Sequence, residues 1–185
     1  MTLKSPFADR PSPMRIIVND TSCLIDLRKA GLLHAALLLP FQFQIALPLI
    51  ATELLDFTPA EIADLQTRGL EVIDLGPDQV GRAFEFRGAY AALSIYDCFS
   101  MSLAESTDDA ILLTGDRNLR TQATALGLEV HGVLWVSDRL EESQITAYAD
   151  IHEGLLRLQS DPLVFLPTAE IEERIRRLRR LLGIR

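Results

Sequence analysis

Cysteine, aromatic residues and positive charge are all scarce in this chain, and each shortage excludes something. The only cysteines among its 185 residues are Cys23 and Cys98, too few for a disulfide framework, so a reducing cytosol is the default compartment. Their spacing suits neither a Cys-x-x-Cys pair nor a zinc site with His34, His131 or His152, and both read as small buried residues. Aromatics make up 6% of the chain and apolar residues 48%, the composition of an aliphatic, compact α/β protein. Lysine and arginine number 18 against 26 aspartates and glutamates, a formal charge of -8. General affinity for nucleic acid rests on clustered cations, so any nucleic-acid function here has to be built locally. No stretch is long and apolar enough to span a bilayer. The longest, "LLHAALLLPFQFQIALPLI", is interrupted by His34, Gln42, Gln44 and two prolines. The opening "MTLKSPFADRPSPM" lacks the apolar centre of a signal peptide and reads as a loose arm over 1–14. A cytoplasmic protein without membrane contact is expected.

Several common catalytic signatures are also missing. There is no G-x-S-x-G, no histidine set beside a nucleophile, no P-loop and no dinucleotide fingerprint.

What is present is alternation. "RIIVN", "FQIAL", "LEVIDL", "AILLT" and "LEVHG" read as five apolar strands. Between them lie helical patterns: "TSCLIDLRKA" closed by Gly31, "PLIATELLD" with Pro48 in its first turn, and "TPAEIADLQTRG" with a capping box from Thr58 to Glu61. "PDQVGRAFEFRGAY" is a helix weakened by Gly81, "LSIYDCFSMSLAES" has Ser94 as N-cap, and "DRNLRTQATALG" ends at Gly127. From "VLWVSDRLEE" onward the pattern is mostly helical, punctuated by Pro162 and Pro167. Such alternation implies an α/β fold with a mainly parallel central sheet, right-handed crossovers and a helical C-terminal extension. In these folds sites form outside the carboxyl ends of the strands. Asp20 and Asp116, each following an apolar strand, therefore fall at one edge.

Four acids stand out, and each has a structural reading beside a functional one. Asp20 and Asp116 are placed to be N-caps. Asp97 follows Ser94 by three and suits the acidic half of a capping box. Glu53 fits such readings least well, because it lies one turn on from Leu49 and Ile50 and shares their apolar side, where an unpaired carboxylate is expensive. Asp97 raises the same difficulty, one turn from both Leu93 and Met101. Two acids on apolar stripes and two at strand ends suggest convergence. Converging carboxylates repel and take up protons unless a cation sits among them. Oxygen-only ligands favour Mg²⁺ or Mn²⁺ over zinc. A bound ion of that kind also offsets the repulsion between an acidic protein and a phosphodiester.

The runs "IIVNDTSCLIDL", "LSIYDCFSMSLAE" and "ILLTGDRNLRTQATALGLEVHG", with the Glu53 helix after "ALP", together resemble a PIN domain over about 15–136. The most specific part is the last run, an apolar strand ending in Thr-Gly-Asp, then a helix, a glycine and a short strand. The resemblance implies a PIN-like α/β/α sandwich over 15–136 followed by a helical extension over 137–185. It implies a metal-dependent ribonuclease, often the toxin half of a bacterial toxin–antitoxin pair, working as a homodimer on RNA. The family's acidic quartet maps onto Asp20, Glu53, Asp97 and Asp116, with Thr21 and Thr114 at hydroxyl positions that support the metal or its water. The long tail looks closer to a PIN subgroup whose members often lose one or more acids, whereas this chain keeps all four.

Two rival functions share the same residues. One is a PIN-like module that holds RNA or protein without cutting, and the other is a hydrolase of small phosphoesters. "VNDTSCL" also faintly resembles the aspartyl-phosphate hydrolases, but their second aspartate is replaced here by Ser22. Finally, "EIEERIRRLRRLLGIR" is amphipathic, with Ile171, Ile175, Leu178 and Leu182 on one face and Arg174, Arg176, Arg177 and Arg180 on the other. It is either a helix packed on its own domain, its arginines helped by the preceding glutamates, or a contact for RNA, a second copy or an acidic partner segment.

Overall fold

The computed structural model describes residues 14–184, so the expected N-terminal arm lies outside the described residues apart from Met14. Five strands carry the architecture: β1 (Ile16–Asn19), β2 (Gln42–Ala46), β3 (Leu70–Ile73), β4 (Ile111–Leu113) and β5 (Glu129–His131). They form one sheet in the order β3-β2-β1-β4-β5, every neighbouring pair parallel. β1 lies at the centre, which is why Ile17 and Val18 are fully buried and why its sequence is an unbroken β-branched run. In register, Val18 faces Gln44 on one side and Leu112 on the other, and Asn19 faces Leu113.

The helices are α1 (Thr21–Ala30), α2 (Leu33–Ala36), α3 (Leu47–Thr52), α4 (Pro59–Thr67), α5 (Pro77–Ala89), α6 (Ile95–Glu105), α7 (Arg117–Ala125), α8 (Val133–Ser143), α9 (Tyr148–Ser160) and α10 (Thr168–Leu181). α6 lies across β1, β2 and β4 with α5 packed onto it, while α1, α2, α8 and α9 pack on one another and α10 on α9. The result is the α/β/α arrangement expected. Both capping boxes form: Thr58 with Glu61 and Ser94 with Asp97. Gly81 does not interrupt α5. The short α2 has no counterpart in the sequence reading, since a single turn is too brief to show a helical period.

The order of the strands creates the site. From β1 the chain moves outward to β2 and β3, then returns to lay β4 against the other side of β1. The carboxyl ends of β1 and β4 thus flank a point where the winding reverses, the crevice where open α/β sheets bind ligands.

The C-terminal helices share the core: Leu140, Ile151, Leu155, Leu158, Ile171, Ile175 and Leu178 all belong to the same buried cluster as β1 and β4. α10 is held to α8 by ions as well. Arg174 pairs with Asp138 at 2.6 Å, and Arg177 with Asp138 at 2.8 Å and Glu141 at 2.7 Å. The partners of these arginines are chiefly the acids of α8 rather than the glutamates preceding them, because helix docking brings the two faces together. Arg176 and Arg180 are exposed. Two of the four arginines expected to contact RNA or a partner are therefore engaged within the protein. Among the described residues no helix is long and apolar enough to cross a membrane.

Close packing of α9 on α1 hinges on Gly154, where an added Cβ would lie 2.8 Å from the Ala30 carbonyl oxygen and 3.0 Å from Leu32 Cδ1. Gly154→Ala gains about 1 kcal/mol of helix propensity, but the contact is with backbone, which cannot swing away. Overpacking of this kind costs about 1–3 kcal/mol. Urea unfolding is expected to show net destabilisation, whereas a variant more stable than wild type would mean that the two helices are not in contact here.

Candidate functional site

Asp20 follows β1 directly, and its backbone N–H donates to the Leu113 carbonyl of β4 at 2.9 Å, so the β1–β4 pairing continues into the turn. Its side chain is 3% exposed. Oδ2 accepts two hydroxyl hydrogen bonds, from Ser22 at 2.6 Å and Thr114 at 2.9 Å. Asp20 stands at the N-cap position of α1 but caps nothing with its side chain. That corrects the expectation of a helix cap: the carboxylate is drawn across the crevice to β4 instead.

Asp116 does cap, its Oδ1 accepting from Leu119 N at 2.7 Å. Thr114 joins the two halves, since its hydroxyl donates to Asp20 while accepting from Asp116 N at 3.0 Å. Asp97, on the first turn of α6, receives the Ser94 N–H on Oδ2 at 2.6 Å. Glu53 follows α3, which ends at Thr52, four residues short of the Asp56 end that the sequence pattern suggested. It is the helix's C-cap rather than an interior residue, which leaves it only half-buried. Its Oε2 takes the Thr21 hydroxyl at 2.7 Å.

Each of the four carboxylates thus has one oxygen tied to neighbouring structure. The other oxygen, Asp20 Oδ1, Glu53 Oε1, Asp97 Oδ1 or Asp116 Oδ2, receives no hydrogen bond from the described residues.

The acids feel one another. Burial pushes the Asp20 carboxyl up to about 6; the Ser22 and Thr114 hydroxyls oppose that rise, and the charges of Asp97 and Glu53 add to it. Glu53 is raised by burial and by Asp97, against the Thr21 hydrogen bond. Asp97 is raised by burial and by Asp116, against its Ser94 contacts. The structure therefore brings the predicted quartet to one locus, with Thr21 and Thr114 as hydroxyl donors inside it. Among the described residues no group of three or more His, Cys, Asp and Glu side chains is placed so that it could hold a metal ion as it stands. The donor chemistry nonetheless fits a hard cation. Mg²⁺ is usually held by one or two carboxylates together with water and substrate phosphate rather than by an all-protein cage.

Three participants escaped the sequence reading. Ser22, which by sequence is only the wrong residue for an aspartyl-phosphate enzyme, bridges Gly115 N, at 2.9 Å, and Asp20 through its hydroxyl. Asp26, one turn further along α1, faces the same loop: its Oδ2 would be 3.8 Å from a Cβ at Gly115. The Asp26 carboxyl is pushed up to about 6 by burial, with Lys29 opposing and Asp161 adding. The spacing of four from Ser22 was the available signal. Arg120 donates to Thr114 O at 2.9 Å and Val130 O at 3.1 Å, pinning the β4–α7 turn to β5. Nothing local marks Arg120, because its role depends on the pairing of β4 with β5. Cys23 and Cys98 are buried, and burial raises both thiols, Cys98 to about 11, so neither supplies a thiolate nucleophile.

A family model described as a PIN domain matches residues 16–180. No curated protein and no solved structure matches the chain.

Because the folded-state carboxyl of Asp20 titrates near 6, above an ordinary aspartate, the folded state binds more protons than the unfolded chain between about pH 4 and 6. Stability without metal is therefore lowered by Asp20 above pH 6, and that penalty is relieved as the pH falls. Asp20→Asn, with EDTA present, is expected to raise the unfolding midpoint at pH 7.5. The gap to wild type should narrow as the pH falls from 6 towards 4. An Asp20→Asn protein less stable than wild type across this range would contradict the burial argument.

Proposed function

The chain belongs to the PIN-domain family, and from that premise we propose that it is a Mg²⁺- or Mn²⁺-dependent endoribonuclease hydrolysing RNA phosphodiesters at Asp20, Glu53, Asp97 and Asp116. PIN domains are generally nucleases. The observation that carries the reading to this chain is the division of labour within each carboxylate, one oxygen held and one presented. Four presented oxygens suit a hard divalent ion, whereas a purely structural set of caps would not need Asp20 buried and drawn to Thr114.

The residues divide the work. Ser22 and Thr114 hold Asp20 by one oxygen, so Oδ1 has a fixed direction. Ser94 and Leu119 do the same for Asp97 and Asp116 through backbone N–H groups. Asp20, Asp97 and Asp116 would hold the ion, which would lower the pKa of a water and stabilise charge on the phosphodiester. Glu53, the acid whose side chain is steered by Thr21 from a helix end, either joins the ion or orients the attacking water in line with the scissile bond. Thr21 fixes which Glu53 oxygen is available for that task.

The same reading casts the protein as the toxin of a toxin–antitoxin module in the cytoplasm, working as a homodimer with a cognate antitoxin as its partner. A catalytically silent RNA- or protein-binding module and a small-phosphoester hydrolase are the alternatives that the assay below separates.

Purified protein incubated with single-stranded and structured RNAs is expected to cut with Mg²⁺ or Mn²⁺ and not with EDTA. Asp97→Asn, whose amide oxygen can still accept the Ser94 N–H, is expected to fold normally and lose cleavage. Ser22→Ala, which loosens Asp20 without removing a carboxylate, should retain cleavage reduced about ten- to a hundred-fold. An Asp97→Asn protein that cuts like wild type would sink the assignment. Turnover of a small chromogenic phosphate ester with none of RNA would favour the phosphatase-like alternative.

A further inference from the structure

A groove of about 880 Å³ opens beside Thr114 and Gly115, in the turn that carries Asp116. Arg117 on α7, His131 and Trp135 around the β5–α8 junction, and Phe165 in the α9–α10 connection contribute to its walls. Resting on the ribonuclease reading above, we infer that this groove is a subsite for single-stranded RNA, which leaves the carboxylate site past Arg117 and stacks a base on the exposed Phe165 ring, with the braced His131–Trp135 pair as the groove's other aromatic wall.

Three observations carry this. First, one wall is a preformed aromatic surface. The His131 and Trp135 rings stack with centroids 4.5 Å apart and an interplanar angle of 9°. Trp135 is braced by Phe41 at 5.5 Å and by the Arg139 guanidinium over its ring. Second, Phe165 is 88% exposed and Leu163, two residues earlier, 75%. A ring left in water beside a braced aromatic pair is suited to a flat ligand, and base–aromatic stacking tolerates any sequence. Third, the charge is right where the groove meets the acids. Arg117 follows Asp116 immediately, is exposed, and has no side-chain partner among the described residues. The other two arginines of the groove are committed: Arg120 to the Thr114 and Val130 carbonyls, and Arg174 to Asp138. In a chain of net charge -8, this groove sets three arginines against the two carboxylates Asp138 and Glu170. A cation at the junction offsets the repulsion that an acidic protein presents to a phosphate backbone.

The subsite also explains a use for the C-terminal helices that the arginines of α10 do not supply. α9 and α10 pack into the core, and their connection contributes Phe165 to the groove wall.

The test is binding of the full chain, with EDTA present, to a labelled single-stranded RNA oligonucleotide and to an abasic strand of the same length, read by fluorescence anisotropy. Phe165→Ala, a change at an exposed position, is expected to weaken RNA binding roughly tenfold, the loss of one base–aromatic stack, and to leave the abasic strand unaffected. Arg117→Ala is expected to weaken both strands and to flatten the salt dependence by about one phosphate contact. Unchanged RNA affinity in both variants overturns the proposal, as does wild-type protein that binds neither strand. A shift of Phe165→Ala from dimer to monomer in sedimentation also overturns it, because the groove then belongs to a second copy. These outcomes are independent of cleavage. Variants that lose RNA affinity in a protein that never cuts leave the subsite standing and remove only the nuclease reading. Variants that bind normally in a protein that cuts do the reverse.

Discussion

Everything in the site depends on β4 returning to lie against β1. The pairing sets Asn19 opposite Leu113 and extends into the Asp20 N–H bond to the Leu113 carbonyl. Only because those two strands end side by side can the Thr114 hydroxyl reach Asp20 while receiving the N–H of Asp116. Residues ninety-four positions apart in the chain, Asp20 and Thr114, become direct partners. Remove the adjacency and Asp20 reverts to an ordinary helix cap, with Asp116 capping another helix elsewhere. The winding reversal that makes the crevice is thus the origin of the candidate site, with the surrounding helices serving to hold its edges.

The arrangement is a compromise between stability and charge. A buried aspartate with other carboxylates nearby is unfavourable without a counter-ion. The fold limits that cost with hydroxyls rather than with arginines: Ser22, Thr21 and Thr114 donate to the acids, while the nearby Arg120 spends its guanidinium on carbonyls. Hydroxyl donors orient a carboxylate without neutralising it. An arginine in the same place would occupy the oxygens and cancel the charge a cation needs. The same logic separates the candidate site from the α8–α10 interface. Where acids are structural, as with Asp138 and Glu141 on α8, they are matched by Arg174 and Arg177.

The fold, and the elements that carry the candidate acids, could be read from the residues because both rest on local patterns. Apolar runs followed by helical periods marked all five strands, Thr58 and Ser94 announced their capping boxes, and the strand-end aspartates fell at one edge once the sheet was taken as parallel. What stayed hidden depends on distance in the chain. The partners of α10's arginines lie on α8, so their sequence neighbours misled. The length of α3 turned on where one short helix frays, and with it the setting of Glu53. Ser22 looked like an absence because it was measured against a motif it does not belong to, whereas its use by Asp20 and Gly115 requires β1 and β4 to be neighbours. The aromatic groove as a whole could not be anticipated: His131 and Trp135 lie four apart, but Phe41 and Phe165 are distant in the chain, and only the fold gathers them.

The central claim is that four carboxylates at this crevice make one divalent-cation site, and a Mn²⁺ titration followed by calorimetry at pH 6 in two buffers of different ionisation enthalpy tests it directly. Asp20 titrates near that pH, so binding is expected to release protons, seen as a buffer-dependent heat. Both the binding and the proton release should disappear in Asp20→Asn. Mn²⁺ that binds without proton release, or binds Asp20→Asn as tightly as wild type, would place the ion elsewhere and contradict the account.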